Sequence, residues 1–179
     1  MERKHYNLLF YFNYFLYNLS SKSLLLRTLI DSNRNKSLLK SVVKDLKKQQ
    51  IPFKIMPSKK VREFKRHWFH RFTPIQERNK AKKVCFGAGN YLWHLYSYRF
   101  ANCLNGEEAI TAYNNQEKND CYLLISFYDI VVKFNSADKF RWHLADCYQD
   151  IIITDKDFKW TFAFTHEGEL GPYFATSGK

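Results

Sequence analysis

Apolar residues recur at helical spacing through the first part of the chain. Ser37 can cap a helix that runs to about Gln49, and the apolar residues between them share one side. They are Leu38, Leu39, Val42, Val43 and Leu46. A second helix begins at Ser58, where the pattern of about 100° per residue creates a continuous apolar stripe. That stripe consists of Val61, Phe64, Trp68 and Phe72.

Pro and Gly residues mark the limits of the segments around this second helix. Before it, Ile51–Pro57 predicts a short edge strand, a position that tolerates Pro52. After it, Pro74 ends the helix, and Gln76–Lys83 predicts a short charged helix or linker. Gly87–Gly106 is apolar nearly all round and predicts a long central helix that ends at its last glycine. "GEEAITAYNNQ" predicts one further short helix.

Beyond residue 120 the pattern changes to that of strands. Cys121–Tyr128, Asp129–Phe134 and Asp150–Asp155 have strand composition, and Ser136–Tyr148 predicts a helical crossover. The last strand, Phe158–His166, alternates aromatic residues with smaller or polar ones, which predicts a sheet that is covered on its aromatic face only. The predicted fold class is therefore α+β, with a helical N-terminal half packed on a C-terminal, mainly antiparallel sheet.

Residues 1–37 differ from the rest. Their most apolar run, Asn7–Leu19, has 13 residues, whereas a membrane span needs roughly 20. The run is therefore too short for a membrane span, and "SSKS" is a poor signal-peptide cleavage site, so we expect neither a span nor secretion. The residue types resemble translated AT-rich DNA, which suggests that the authentic start lies near Leu38 or Leu39. The alternative is an aromatic helix that packs on the domain. We therefore divide the chain into an extension, 1–37, and one domain, 38–179.

Positive charge is concentrated in the first part of the chain. Residues 1–100 carry 22 Lys/Arg against 5 Asp/Glu, and residues 101–179 carry 7 against 12. Lys54–Lys83 alone has a net charge of +9. Its helical pattern predicts an outward basic surface for an acidic protein or nucleic acid, with Phe69 near the rim for stacking. The predicted binding residues are Lys59, Arg62, Arg66, His70, Arg71, Lys80, Lys82 and Lys83. The alternative is a solvated, lysine-rich surface without a partner.

Three residues are candidates for catalysis. His94 lies in the central aromatic segment, and His166 with Glu167 ends the last strand. If they converge, they have the composition of an acid–base pair or of a two-histidine, one-carboxylate metal site. The structural alternative is that each anchors its own segment. The pair His67 and His70 has metal-ligand spacing, but neighbouring cations disfavour a metal there, and no cofactor motif occurs.

Three motifs and a basic segment resemble the domain-of-unknown-function family 4275. The motifs are "YLWHLYSY" (Tyr91–Tyr98), "DIIITDKDFKWTFAFTHE" (Asp150–Glu167) and "GPYF" (Gly171–Phe174), and the segment is "REFKRHWFHRF". The resemblance covers roughly residues 41–175. The residues that carry it are Trp93, His94, Ser97, Trp160, Thr165, His166, Glu167, Gly171, Pro172 and Tyr173. It implies a small, soluble, cytoplasmic α+β protein of low-GC Gram-positive bacteria and their mobile elements, in a family of uncharacterised proteins without an assigned activity.

The prediction from sequence is thus a cytoplasmic interaction protein that binds through its basic surface and has no catalytic activity or cofactor. The main alternative is a small hydrolytic or metal-binding enzyme that uses His94, His166 and Glu167. An immunity or phage-defence accessory role is a further alternative, by analogy with other small proteins of mobile elements.

Overall fold

A computed structural model describes residues 39–40, 42–44, 46–87, 91–125, 129–136, 150–167 and 169–178. The chain divides into two units, residues 1–40 and residues 41–179, and the description below concerns the second. The predicted extension, 1–37, lies outside the described residues. So does nearly all of the predicted crossover helix, because residues 137–149 are not described.

A seven-stranded sheet forms the centre of the second unit. Its strands in chain order are β1 (Phe53–Ile55), β2 (Leu104–Asn105), β3 (Asn119–Ile125), β4 (Ile130–Ser136), β5 (Ile151–Asp155), β6 (Trp160–Phe164) and β7 (Tyr173–Thr176). Their order across the sheet is β1-β4-β3-β5-β6-β7-β2, and every neighbouring pair is antiparallel. The predicted edge strand is confirmed, because β1 pairs with β4 alone.

The helices lie mainly in the N-terminal half. Residues 42–44 and 46–48 are helical, with Val42 and Leu46 buried. They are followed by α1 (Ser58–Phe72), a 3-10 turn (Ile75–Glu77), α2 (Arg78–Cys85), α3 (His94–Ser97) and α4 (Gly106–Asn114). The α+β class is confirmed. In the part of the chain that the structure describes, no helix is long and apolar enough to cross a membrane.

The apolar stripe of α1 packs on the sheet as its spacing predicts. Trp68 is fully buried, and its indole Nε1 donates a hydrogen bond of 3.0 Å to Thr161 Oγ1 on β6. The same core contains Leu124, Ile152 and Ala163 from three neighbouring strands. Burial of aromatic side chains is the largest apolar contribution that a helix of this size can make. The outer face of α1 is thereby oriented away from the sheet.

The prediction of a sheet covered on one face is wrong. Thr161 and Ala163 are as fully buried as Phe162 between them. Trp68 of α1 covers the face with the small residues, and Tyr113 of α4 stacks on Phe162 at 4.4 Å on the other face. Small side chains on β6 are therefore the complement of a bulky helix, since close packing fixes the summed volume at an interface.

The long helix predicted over Gly87–Gly106 is also wrong. Only α3, four residues long, is helical there in the described residues. The chain turns at Arg99, whose φ is 57°, and the Phe100 amide closes the turn on the Leu95 carbonyl at 3.0 Å. Further on, β2 pairs with β7. Aromatic residues are weak helix formers, so pairing with a distant strand outweighs the local preference.

Candidate functional site

The outer face of α1 is basic and exposed. Lys59, Arg62, Arg66 and His70 lie on it, as predicted from the helical spacing, and Arg71 is exposed at its margin. Because the opposite stripe of α1 is buried against the sheet, the helical geometry directs these side chains to the surface.

The second helix extends this basic surface. Lys80, Lys82 and Lys83 are exposed on α2, while Ala81 and Cys85 face inwards and are fully buried. Lys80 has a loose ion pair with Glu77, at 3.7 Å. We call the exposed cations of α1 and α2 the basic face: Lys59, Lys60, Arg62, Arg66, Arg71, Lys80, Lys82 and Lys83.

Arg78 joins the two helices. Its Nη2 donates a hydrogen bond of 2.8 Å to the His70 carbonyl, and its Nε donates one of 3.3 Å to the Thr73 carbonyl. The pKa of His70 is lowered, first by burial and then by the positive charges of Arg78, Arg66, Lys82 and His67. Cations from both helices therefore lie close enough to His70 to act on its ring.

Two residues of the basic segment are buried instead. Lys65 is 3% exposed and forms an ion pair of 2.5 Å with Asp129, the residue just before β4. Burial lowers the pKa of Lys65, and the bond and charge of Asp129 oppose that effect. Phe69 is 2% exposed and contacts the ring of Phe86, so the prediction that it is available for stacking is wrong.

A cleft of about 600 Å³ opens where α1 ends and α2 begins. Arg71, Arg78 and Ile75 line it on the helical side. Asn102 and Thr176 line it on the side of the sheet. Residues that are remote in sequence therefore meet at one end of the basic face.

The turn after β6 is held by a buried carboxylate. His166 Nδ1 lies 2.8 and 2.9 Å from the two oxygens of Asp150, and the His166 amide donates to the same carboxylate at 3.3 Å. Asp150 is buried, whereas the His166 ring is half-exposed. A proton on Nδ1 suits this contact in the neutral ring, which leaves Nε2 as the free lone pair. Glu167 Oε1 lies 3.9 Å from that Nε2.

His94 lies beside the same turn. The centroid of its ring lies 4.3 Å from that of Trp93 and 5.4 Å from that of Tyr91. The centroid of the His166 ring lies 6.1 Å from that of Trp93 and 5.7 Å from that of Tyr91. Burial lowers the pKa of His94, while Glu167, the Val84 carbonyl and Asp150 raise it. The structure thus brings His94 and His166 to one aromatic pair, and Glu167 lies beside His166.

Asp150 is the residue of this cluster that sequence reasoning missed. In the sequence it only marks the start of a strand, and its positive φ of 55° is not visible there. Among the residues that the structure describes, no group of three His, Cys, Asp or Glu side chains is arranged to hold a metal ion.

Two further motif residues, Thr165 and Gly171, pack at this turn. Thr165 is buried, and its hydroxyl accepts a hydrogen bond of 3.1 Å from the Glu167 amide. A Cβ at Gly171 would lie 2.7 Å from the Thr165 methyl, so only glycine fits there without movement. Ser97 is half-buried on α3, and Pro172 and Tyr173 are buried. Trp160 lies elsewhere, against Tyr113 of α4.

The described cysteines lie mostly in the interior. Cys85 and Cys121 are buried, and Cys103 is half-buried. Burial raises the pKa of the Cys85 thiol to about 12, so the thiolate is not formed near neutral pH.

Comparison with known proteins agrees with the motifs. The chain matches the family described as a domain of unknown function, DUF4275, over residues 40–174. The chain belongs to this family. The predicted resemblance over residues 41–175 is thereby confirmed, and the family region coincides with the second unit of the chain. No curated protein and no solved structure matches the chain.

Proposed function

We propose that this chain binds nucleic acid through the basic face of α1 and α2. The observation that carries the proposal is the separation of the two sides of these helices. Eight Lys and Arg side chains are exposed on one side, and the large apolar residues, including Trp68 and Phe69, are buried on the other.

Nucleic acid suits this surface better than an acidic protein does. Protein interfaces have a desolvated centre that is rich in aromatic residues and poor in charge. On the described part of the basic face and its adjoining cleft, Ile75 is the large apolar side chain that is strongly exposed, at 77%. A surface that is mainly cationic, with Glu63 as an exposed carboxylate on α1 and without an apolar centre, fits a phosphate backbone, which offers regularly spaced negative charge.

Binding of this kind should depend on the backbone rather than on base sequence. Phe69 and Trp68 are buried, so stacking on bases is not available from these rings. Lys59, Arg62 and Arg66 follow one another at helical spacing over about 10 Å of α1, given a rise of about 1.5 Å per residue. B-form DNA presents roughly six phosphate charges over that length.

The test is fluorescence anisotropy with a short DNA duplex at increasing salt. If about five phosphates are neutralised, the slope of log K against log salt is about −4.5. Affinity then falls by a few hundred-fold between about 50 and 200 mM salt. Arg62→Glu with Arg66→Glu should weaken binding by roughly 100-fold at the lower salt and reduce the slope by about 2.

A charge-matched control separates the basic face from net charge. Lys47 and Lys48 are exposed cations in the helical segment before β1, and Lys47→Glu with Lys48→Glu changes the net charge by the same amount. We expect this control to bind like the natural chain. Equal weakening in both double variants would contradict the proposed site. An absence of binding at the lower salt, or displacement of the duplex by polyglutamate at equal charge, would contradict the preference for nucleic acid.

A second candidate function is cleavage of RNA by acid–base catalysis at the turn after β6. The observation that favours it is the bond between His166 and buried Asp150, which fixes the ring and leaves Nε2 directed at Glu167. In RNA the ribose 2′-oxygen can attack the adjacent phosphorus while the bond from phosphorus to the 5′-oxygen breaks. One imidazole must accept the 2′ proton and another must protonate the leaving 5′-oxygen.

His94 and His166 are the two imidazoles available for these roles. Because burial lowers the pKa of His94, this ring is neutral near pH 7 and suits the role of base. His166 takes the role of acid in its doubly protonated form, in which Nδ1–H is bonded to Asp150 and Nε2 carries the proton that is donated.

The assay is cleavage of a fluorophore-labelled RNA in the presence of EDTA. His166→Ala and His94→Ala should each reduce the rate at least about 100-fold, and DNA of the same sequence should remain intact because it has no 2′-hydroxyl. His67→Ala is the matched control, because this histidine is exposed on α1. RNA that remains uncleaved by the natural chain would overturn this second function and leave the binding proposal unaffected.

A further inference from the structure

The cleft at the end of α1 has the charge of an anion site. Arg71 and Arg78 line it together with His70. Among the described residues that line it there is no Asp or Glu. Arg71 also has no ion pair with a carboxylate among the side chains that the structure describes. Its guanidinium therefore remains available for a ligand.

The helix end beside the cleft would oppose an anion if it were left uncompensated. The last carbonyls of an α-helix carry partial negative charge. Here Arg78 occupies the carbonyls of His70 and Thr73, with hydrogen bonds of 2.8 and 3.3 Å. Its positive charge offsets the helix end and leaves the cleft positive.

The remaining lining suits a ligand that is partly polar and partly apolar. Asn102 and Thr176 bring hydrogen-bonding side chains from the sheet side. Ile75 and Pro74 bring apolar surface from the turn between the helices. The volume of about 600 Å³ lies within the range of small-molecule sites. A single phosphate would fill only part of it, and a nucleotide would fill most of it.

We propose that this cleft is a phosphomonoester subsite, in which Arg71 binds the phosphate that ends a nucleic-acid strand or belongs to a free mononucleotide. The subsite rests on the proposed function, because the cleft lies at one end of the basic face and extends it. A terminal phosphate carries more negative charge than the diesters within a strand, and the planar guanidinium binds it in bidentate fashion. The chain would therefore favour strand ends that carry a phosphate.

The test compares two short duplexes of the same sequence, one with 5′-phosphates and one with 5′-hydroxyls. The natural chain should bind the phosphorylated duplex roughly 10-fold more tightly, the size expected for one charge-assisted, bidentate contact. Arg71→Ala should remove this preference, and Arg71→Lys should restore only part of it because lysine binds as a point charge. Arg62→Ala is the matched control, since it should weaken both duplexes equally and keep their ratio.

The outcomes separate the subsite from the proposed function. Equal binding of both duplexes with a steep salt dependence overturns the subsite and supports nucleic-acid binding. If neither duplex binds, the proposed function fails, and titration with AMP and with inorganic phosphate tests the cleft alone. Saturable binding of AMP that is lost in Arg71→Ala supports the subsite as a mononucleotide site. Absence of binding by AMP and phosphate overturns it.

Discussion

At the scale of single residues, Asp150 connects two strand ends. Its buried carboxylate accepts hydrogen bonds from the ring and the amide of His166, 16 positions later in the chain. The bond explains why Thr165, His166 and Glu167 form a defined turn at the end of β6. It also makes the cluster a stabilising element whether or not it has a catalytic role.

We expect Asp150→Ala to lower the free energy of unfolding by about 2–3 kcal/mol, because it leaves two donors of His166 without their acceptor. His166→Ala should cost less, and the double variant should be clearly less than additive. Urea denaturation measures all three. Asp157→Ala, which removes an exposed carboxylate at the neighbouring turn, should cause no measurable change. Additive effects of Asp150 and His166 would show that the contact contributes nothing.

Lys65 provides a pH-dependent test of burial. Its folded-state pKa is lowered from the usual value of 10.5, chiefly by burial, and Asp129 opposes that change. Because the folded state holds the proton less tightly than the unfolded state, stability rises with pH between the lowered pKa and 10.5. Asp129→Asn removes the opposing contribution, so the rise should begin at a lower pH.

The expected result for Asp129→Asn is a loss of about 1–2 kcal/mol at pH 7, a figure reduced because Asp129 is mostly exposed. This deficit should shrink as the pH approaches 10. Lys65→Met removes the titrating group. The stability deficit of this variant relative to the natural chain should therefore not shrink as the pH rises. Urea unfolding at several pH values decides the point, and a deficit that is constant with pH would be contrary to it.

At the scale of elements, α1 is joined to the sheet by a polar contact within an apolar interface. Thr161 Oγ1 accepts the indole N–H of Trp68 at 3.0 Å and donates to the Ile153 carbonyl at 3.2 Å. Both side chains are fully buried, so water cannot replace a lost bond without a rearrangement. The contact fixes the position of α1 along β6 and hence the direction of the basic face.

Thr161→Val should therefore lower the free energy of unfolding by about 1–3 kcal/mol, although the side-chain shape is nearly unchanged. Trp68→Phe combined with Thr161→Val should be less than additive, because the indole donor is then absent as well. Thr111→Val on the exposed side of α4 is the matched control and should be neutral within about 0.5 kcal/mol. A neutral Thr161→Val would mean that the interface is held by apolar packing alone.

At the scale of the whole molecule, the family region and the second unit share their N-terminal boundary. The family match begins at residue 40, and the second unit begins at residue 41. The predicted division into an extension, 1–37, and a single domain, 38–179, stays a prediction. So does the predicted start near Leu38, which N-terminal sequencing of the native protein would test.

Deletion of residues 1–37 should leave the remaining chain folded, with a free energy of unfolding within about 0.5 kcal/mol of the full chain. The reason is that a domain with its own core can fold alone. The core includes Leu46, Trp68 and Phe162, all of which are retained. Urea denaturation with matched m-values is the measurement. A larger loss would favour the alternative in which residues 1–37 form an aromatic helix that packs on the domain.

The sequence by itself determined the features that depend on local periodicity. The helical spacing of α1 predicted its buried apolar stripe and most of its basic face, with Lys65 and Phe69 as the exceptions. Alternation and strand composition located β3, β4, β5 and β6 to within a few residues. The three motifs identified the family. Each of these features repeats along neighbouring residues, and a repeat of that kind reflects one face of one element.

The tertiary structure alone decided which distant groups meet. Lys65 is buried because Asp129, 64 positions later, lies beside it, and His166 is anchored by Asp150. Thr161 is buried because Trp68 packs on it. The helix α3 is short because the chain beyond it pairs as β2 with β7. The cleft joins the end of α1 to Asn102 and Thr176. Such contacts leave no periodic trace in the sequence, because their energy depends on the packing of whole elements and not on the preferences of adjacent residues.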